Sequence, residues 1–150
     1  MELIRPGEPC PVPQVLIQRL ADAMREATRD EPQEELPLKH HFSKGVYGRE
    51  LFIPKGTLLV GRVHKHDNMN VMLSGELTVT TEEGMKRVKA PFLVVSPAGT
   101  MRAAYAHEDT VWVTFLGTDM TDPDEIKEEF TFERYDEFLA YEKMLALEVN

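Results

Sequence analysis

The sequence predicts a mainly β chain, with a single barrel or sandwich in its middle and helices on either side. Eight short segments rich in Val, Thr, Leu and Phe follow one another between residues 46 and 116. These residue types favour the pleated surface of a sheet. Turn-forming residues separate the segments at regular intervals, which is typical of a sandwich or barrel. The predicted bounds are about 46–53, 57–65, 69–74, 76–81, 85–90, 92–96, 101–106 and 110–116.

Helical patterns flank the predicted strands. From residue 14 to about residue 29, apolar residues recur at intervals of three and four, which indicates an amphipathic helix. Asp122 is a suitable N-cap with Pro123 at the first helical position, and a second apolar stripe runs over about 135–147. We expect these helices to cover the outside of the barrel or a dimer seam.

The chain of 150 residues divides into three parts within a length that suits one domain. An N-terminal arm and amphipathic helix occupy 1–37, and a barrel occupies 38–118. A helical extension follows over 119–150. Prolines punctuate the arm, and Pro32 and Pro37 enclose a polar linker, so neither stretch is expected to hold a strand of the sheet.

Composition excludes several classes of partner. The net charge of -9 opposes binding to nucleic acid, which needs clustered Lys and Arg. No run approaches the roughly 20 apolar residues that cross a bilayer, and the N-terminus lacks the order of a secretory signal. The single cysteine, Cys10, cannot form an intramolecular disulfide, which favours a reducing compartment. We therefore expect a cytoplasmic protein with no membrane or nucleic-acid partner.

A pair of histidines marks the candidate site. His64 and His66 are separated by one residue near the end of a predicted strand, so alternation places both side chains on one face, together with Arg62. Neutral imidazoles bind divalent transition metals such as Zn, Fe, Ni or Mn, but two seldom suffice. His107 is a candidate third ligand, although counting by twos from Arg102 directs it outward unless a bulge intervenes.

The segments VHKHDNMNVMLSGE and SPAGTMRAAYAHEDTVW resemble the two motifs of the cupin superfamily. These motifs read G-x5-H-x-H-x3,4-E-x6-G and G-x5-P-x-G-x2-H-x3-N. His64 and His66 match the histidine pair, Gly75 the closing glycine, and Pro97 and Gly99 the turn of the second motif. The resemblance implies a double-stranded β-helix jelly roll and, in many members, a metal held by three histidines and a glutamate.

The departures from the motifs fall where the chemistry is decided. The family's glutamate falls at Asn70 when counted forward from His66, and at Asn68 when counted back from Gly75. Arg102 stands in place of the third metal histidine. An arginine does not deprotonate in a protein and so is no metal ligand. A shift of one residue in the turn would direct Met101 inward instead.

Three interpretations of the site remain open at this stage. One is a divalent metal held by His64, His66 and His107. Another is a metal-free pocket for a carboxylated or phosphorylated small molecule, with His64 or His66 as general acid or base if the protein is an enzyme. A third is a purely structural histidine pair. For the pocket, the candidate ligand-binding residues are Arg102, Arg62, Asn70, Asn68 and Tyr105.

A wider resemblance suggests a different role. The run from about 41 to 112 is similar to uncharacterised cupin-like proteins encoded in phage and prophage genomes. This implies a non-catalytic protein whose acidic surface and terminal helices bind a host or virion protein, with the barrel as scaffold. Jelly rolls of this superfamily are often dimers, so the resemblance also implies a homodimer.

Overall fold

The computed structural model describes residues 12–32 and 35–148, so most of the predicted N-terminal arm, with Cys10, lies outside the described residues. The described part holds three helices and eleven strands. The helices are α1 (Gln14–Ala27), α2 (Pro123–Phe130) and α3 (Tyr135–Glu148). The strands are β1 (Leu38–Ser43), β2 (Val46–Ile53), β3 (Leu58–Val60), β4 (Val63–His64), β5 (Asn68–Ser74), β6 (Glu76–Thr81), β7 (Gly84–Lys89), β8 (Phe92–Ser96), β9 (Ala103–Ala106), β10 (Thr110–Leu116) and β11 (Thr131–Phe132).

Two antiparallel sheets enclose the core. The larger has the order β1-β2-β10-β5-β8 and the smaller the order β3-β9-β6-β7, while β4 pairs with β11. The inward side chains of both sheets form one cluster, made of Leu51, Ile53, Met72, Leu77, Val79, Ala104 and Ala106. Two such sheets, each apolar on its inner face, form a jelly roll. The predicted mainly β fold with helices before and after the barrel is therefore confirmed.

The strand prediction differs from the structure in two instructive places. The predicted strand 57–65 is broken at Gly61 and Arg62 into β3 and β4. Residues 38–43, placed within the barrel but in none of the eight predicted strands, form the edge strand β1, whose side chains are mostly exposed. An edge strand pairs on one side and buries little, so its sequence carries a weak apolar signal.

The first and third helices cover one side of the smaller sheet. Ile17 of α1 and Phe138 of α3 pack with Val63, Met101 and Ala103 in a second apolar cluster. The two helices thus cover the barrel as expected, but largely with other residues than the predicted stripes: α1 buries Ile17 and Ala21 while Leu16 is exposed. On α3 Phe138 is buried, while Leu139, Met144 and Leu145 are exposed. No helix within residues 12–32 and 35–148 is long and apolar enough to cross a bilayer.

The second helix lies at an open end of the barrel. The Asp122 carboxylate accepts hydrogen bonds from the backbone N–H groups of Asp124 and Glu125, at 2.9 and 3.3 Å, so the predicted N-cap is present. Ile126 is buried against Tyr47 of β2 and Leu116 of β10. The helical extension therefore contributes to the barrel end where the candidate site lies.

The motif glycine Gly75 is required by its backbone. Its φ is +96°, and a Cβ there would lie 2.6 Å from the carbonyl oxygen of Asp109. We expect Gly75→Ala to lower the free energy of unfolding by about 3 kcal/mol, because a strained φ adds to a clash with backbone. Gly56→Ala is the control: its φ is +87° but nothing lies within 4 Å. Gly56→Ala should lower the free energy of unfolding, measured with urea, by about 1 kcal/mol. Equal losses would contradict this account.

Candidate functional site

A cavity of about 540 Å³ lies between the two sheets. Side chains from β2, β5 and β10 of the larger sheet line it, with contributions from the smaller sheet, from the β3–β4 break and from α2. Its volume falls in the range of small-molecule sites. The polar part of the lining includes Arg49, Arg62, His64 and Arg102.

Arg49 points into the barrel from the middle of β2. Its inward neighbours on that strand are Tyr47 and Leu51, both buried. Among the described residues, no carboxylate or hydrogen-bond acceptor contacts its guanidinium group. Burial lowers the pKa of Arg49, and the charge of Arg62 lowers it further, although Tyr47 acts in the opposite direction. An arginine still remains charged at neutral pH, so β2 carries an unpaired cation into the cavity.

Arg62 lies at the break between β3 and β4. Its Nε donates a hydrogen bond of 2.7 Å to Oγ1 of Thr131. The Thr131 hydroxyl in turn donates to the backbone carbonyl of Lys127 at 2.6 Å. The two terminal nitrogens of Arg62 have no protein partner within the described ranges. The segment after α2 thus orients this guanidinium and leaves its outer edge available.

His64 ends β4 and lines the cavity beside these two arginines. Burial lowers the pKa of His64 from 6.5 to about 4, with further lowering by the charges of Arg49 and Arg62. The imidazole is therefore neutral at pH 7. Its Nδ1 is buried without a hydrogen-bond partner. The other ring nitrogen, Nε2, has no hydrogen-bond partner among the described residues either.

Asn70 is the centre of a buried hydrogen-bond network. Its amide nitrogen donates to Oδ1 of Asn68 at 2.9 Å and to Oγ of Ser96 at 3.0 Å. Its carbonyl oxygen accepts from Nε1 of Trp112 at 3.2 Å and from Oγ1 of Thr114 at 2.8 Å. An amide has two donor and two acceptor positions, and all four are used. The structure thus places Asn70 and Asn68 in the cavity wall, with Asn70 serving to join strands.

Arg102 also lines the cavity, but its hydrogen bonds are largely used within the protein. Nε and Nη2 donate to Oγ of Ser96 at 3.1 and 2.9 Å, and Nη1 donates to the carbonyl oxygen of Thr80 at 2.7 Å. Nη2 also contacts the Glu82 carboxylate at 3.0 Å. The Glu82 carboxylate therefore already offsets the charge of Arg102, the residue that was expected to contact an anionic ligand. Met101 packs in the apolar cluster below the helices.

His66 does not line the cavity, so its predicted position beside His64 is wrong. Strand β4 ends at His64 and the chain bends over the next two residues, so the alternation of a strand does not extend to His66. The His66 ring is exposed and meets the edge of Phe130, with 5.8 Å between the ring centres.

Tyr105 and His107 lie on the outer side of the smaller sheet and do not line the cavity. Ala104 and Ala106 are the inward residues of β9, so Tyr105 faces out and is 43% exposed. His107 forms a hydrogen bond of 2.6 Å with the hydroxyl of Thr78 and touches the Tyr105 ring. The assignments of Tyr105 to the ligand and of His107 to a metal are therefore corrected, because strand parity directs both residues outward.

The residues in the cavity do not fit the metal centre that the motif resemblance implies. Within 12–32 and 35–148, no three His, Cys, Asp or Glu side chains are grouped to hold a metal ion. His40 also lines the cavity, but its Nδ1 is hydrogen-bonded to the hydroxyl of Tyr47 at 2.6 Å. The charges of Arg49 and Arg62 would repel a dication. One free imidazole beside two guanidinium groups is a donor set for an anion.

Sequence reasoning missed Arg49 and His40. His40 was not among the candidate residues, yet it lies opposite Arg49 in the register of β1 and β2. The signal for Arg49 was available: Tyr47, Leu51 and Ile53 alternate in the first predicted strand, and the same parity includes Arg49. A charged residue in an inward row is the kind of exception that marks a site.

The comparisons with known proteins agree with the fold. No protein-family model matches the sequence, and no curated protein matches it. Among solved structures, KdgF from Halomonas sp. is similar with a TM-score of 0.50 and 16% identity, over 65% of this chain and 94% of that one. An RmlC-like cupin from Shewanella frigidimarina has a TM-score of 0.49 at 16% identity, over 62% of this chain and 85% of that one. The conserved protein SPY1581 from Streptococcus pyogenes has a TM-score of 0.46 at 21% identity, over 60% of this chain and 80% of that one. At this identity the similarity to KdgF shows a shared fold alone.

The lowered pKa of His64 predicts a pH-dependent stability. The folded state takes up its proton near pH 4 and the unfolded state near pH 6.5, so stability is fully present above pH 6.5 and is lost as pH falls toward 4. When the pH falls from 7 to 4, we expect the free energy of unfolding, measured with urea, to decrease by about 3 kcal/mol more in wild type than in His64→Gln. His66→Gln, which removes an exposed histidine nearby, should follow wild type. Parallel pH profiles for wild type and His64→Gln would refute the assignment.

Proposed function

We propose that this cupin-like protein binds an anionic small molecule, carboxylated or phosphorylated, inside the barrel. The observation that carries the proposal is the pair of guanidinium groups, Arg49 and Arg62, that line the cavity with no carboxylate in contact among the described residues. Both guanidinium groups are partly buried, and holding such charge without a carboxylate partner is unfavourable. An oxyanion would relieve that cost through charge-assisted hydrogen bonds. The proposed binding residues are therefore Arg49 and Arg62, with His64 beside them.

Binding is a better account of this site than proton transfer. An effective general base has a pKa near the working pH, and the pKa of His64 is lowered to about 4. At pH 7 such an imidazole accepts protons poorly. It can still accept a hydrogen bond from a ligand hydroxyl through Nε2. Catalysis next to a carboxylate would require that the bound anion first raise the His64 pKa by offsetting the two nearby charges.

The test of the proposal is Arg49→Gln. Loss of one charge-assisted contact should weaken binding of the preferred anion by about 10- to 100-fold. Folding stability should not fall, because the guanidinium has no protein partner to lose. Hexanoate, succinate, citrate and inorganic phosphate form the first panel, followed through the fluorescence of Trp112, the single tryptophan and a cavity residue.

The control for this test is Arg29→Gln, which removes an equal charge from an exposed position outside the cavity. It should bind the anions as wild type does. If Arg49→Gln unfolds the protein but leaves affinity unchanged in the folded fraction, Arg49 is structural and the proposal fails.

A second candidate function, in which the barrel is a scaffold for protein contacts, is favoured by one surface. The outer face of the larger sheet exposes apolar side chains on four neighbouring strands, each between 36% and 58% exposed. They are Phe52, Met69, Leu73, Leu93, Val95 and Phe115. Contiguous apolar surface of this kind marks an interaction site.

A second copy of this chain is the partner that this face suits. Each copy carries a net charge of -9, so two copies repel one another across their acidic surfaces. Glu50, an acidic residue on the same face, is near Lys39 and His41. This sheet face, where Lys39 offsets the charge of Glu50, therefore offers the least repulsion. The implied host or virion protein is the competing occupant of the face.

We predict that wild type is a dimer in light scattering and that Leu93→Lys is a folded monomer, because burying the new charge opposes association. The control Met85→Lys lies on the smaller sheet at a residue that is 68% exposed, and it should remain dimeric. A monomeric wild type at millimolar concentration would exclude the homodimer and leave the face to a different protein.

A further inference from the structure

The lining of the cavity is divided by polarity, and the register of the larger sheet shows how. One row across the inner face contains His40, Arg49, Thr114 and Asn70, which are paired from strand to strand. The next row toward the barrel floor contains Leu38, Leu51, Trp112 and Met72. Rows of this kind are about 7 Å apart, because they are two residues apart along each strand. A molecule of moderate size therefore contacts both rows.

The smaller sheet repeats this division. Leu59, Ala104 and Val79 are paired across its strands and line the same cavity. Leu77 and Ile53 line it as well, and both are almost fully buried. Toward the other end lie Arg62, His64 and residues of α2. The cavity thus has a largely cationic upper part and a mainly apolar floor, and the carboxylates of Glu35 and Asp124 also belong to its lining.

This division limits the charge that a ligand can carry. The floor offers no guanidinium, ammonium or imidazole among its described lining residues. A second anionic group placed there would lose its hydration without gaining a hydrogen bond, which is strongly unfavourable. The Arg102 guanidinium, the remaining buried cation, already contacts Glu82. The charge of the ligand must therefore be confined to one end.

We propose, resting on the anion-binding function above, that the ligand is amphipathic: a single oxyanion head at Arg49 and Arg62 and an apolar body over Leu51, Leu77 and Val79. The cavity equals the liquid volume of about 18 water molecules, so it has room for a body of several carbons. A carboxylate and a phosphate monoester share the head chemistry. Sugars, dicarboxylates and inorganic anions lack the apolar body.

The experiment is a titration of the full chain, followed by Trp112 fluorescence and by calorimetry. Acetate, butanoate, hexanoate and octanoate extend the body at constant charge. Hexyl phosphate tests the alternative head, adipate adds a second charge at the far end, and 1-hexanol removes the charge. We expect affinity to rise about fourfold per added methylene until the cavity is full. Adipate and hexanol should bind at least tenfold more weakly than hexanoate.

Two isosteric variants distinguish an effect of the cavity floor on binding from a general effect of a Val→Thr substitution. Val79→Thr places a hydroxyl on the floor, while Val95→Thr makes the same change on the exposed outer face. Val79→Thr should weaken the binding of hexanoate several-fold and leave the binding of acetate unchanged. Val95→Thr should change the affinity for neither. Anions that bind with no gain from chain length, or adipate that equals hexanoate, would overturn the amphipathic ligand and leave the proposed function intact. If no anion of the series binds, the proposed function itself fails.

Discussion

The fully used amide of Asn70 determines much of what surrounds it. Its four hydrogen bonds connect β5 to β10 through Trp112 and Thr114 and to β8 through Ser96. Because Ser96 also accepts from Arg102, the network reaches the smaller sheet. A buried polar group that lost one partner would be destabilising by about 1–3 kcal/mol, so the network fixes these strands in one register. The network thereby holds Arg102 in a structural role. Arg49 and Arg62 are then the arginines whose guanidinium groups remain available in the cavity.

Most of the fold could be predicted because barrel strands obey a period of two. The bounds predicted for β2, β6 and β10 agree with the structure, since these strands bury one whole face. Strand β1 was missed because it lies at an edge, where Lys39 and His41 face solvent and the pattern reads as polar. The two-residue β11 could not be found, because its pairing with β4 depends on where α2 ends.

The candidate site was predicted in part, by strand alternation for His64 and Arg62 and by the motif comparison for the others. His64, Arg62, Asn68, Asn70 and Arg102 were named from the sequence, and the structure places all five in the cavity wall. His66 was misplaced because a strand end cannot be located to one residue from sequence. Arg49 was overlooked because the motif comparison directed attention away from the first strand. Two of the residues that occupy Arg102, Thr80 and Glu82, lie 22 and 20 positions away, and no local pattern reveals such contacts.

The cationic side chains of this pocket differ in chemistry from the metal centre that the motif resemblance implies, but they carry the same sign of charge. A divalent ion held by three neutral imidazoles and one carboxylate would give a single net positive charge. Arg49 and Arg62 provide two, without a contacting carboxylate in the described chain. A guanidinium binds an oxyanion through fixed N–H groups in a plane, so it recognises the shape of the head and does not exchange ligands. In the proposed function, these two partly buried cations attract the anion in a protein whose overall charge is negative. Under the same proposal, the apolar floor beneath them selects among anions by the apolar body that the head carries.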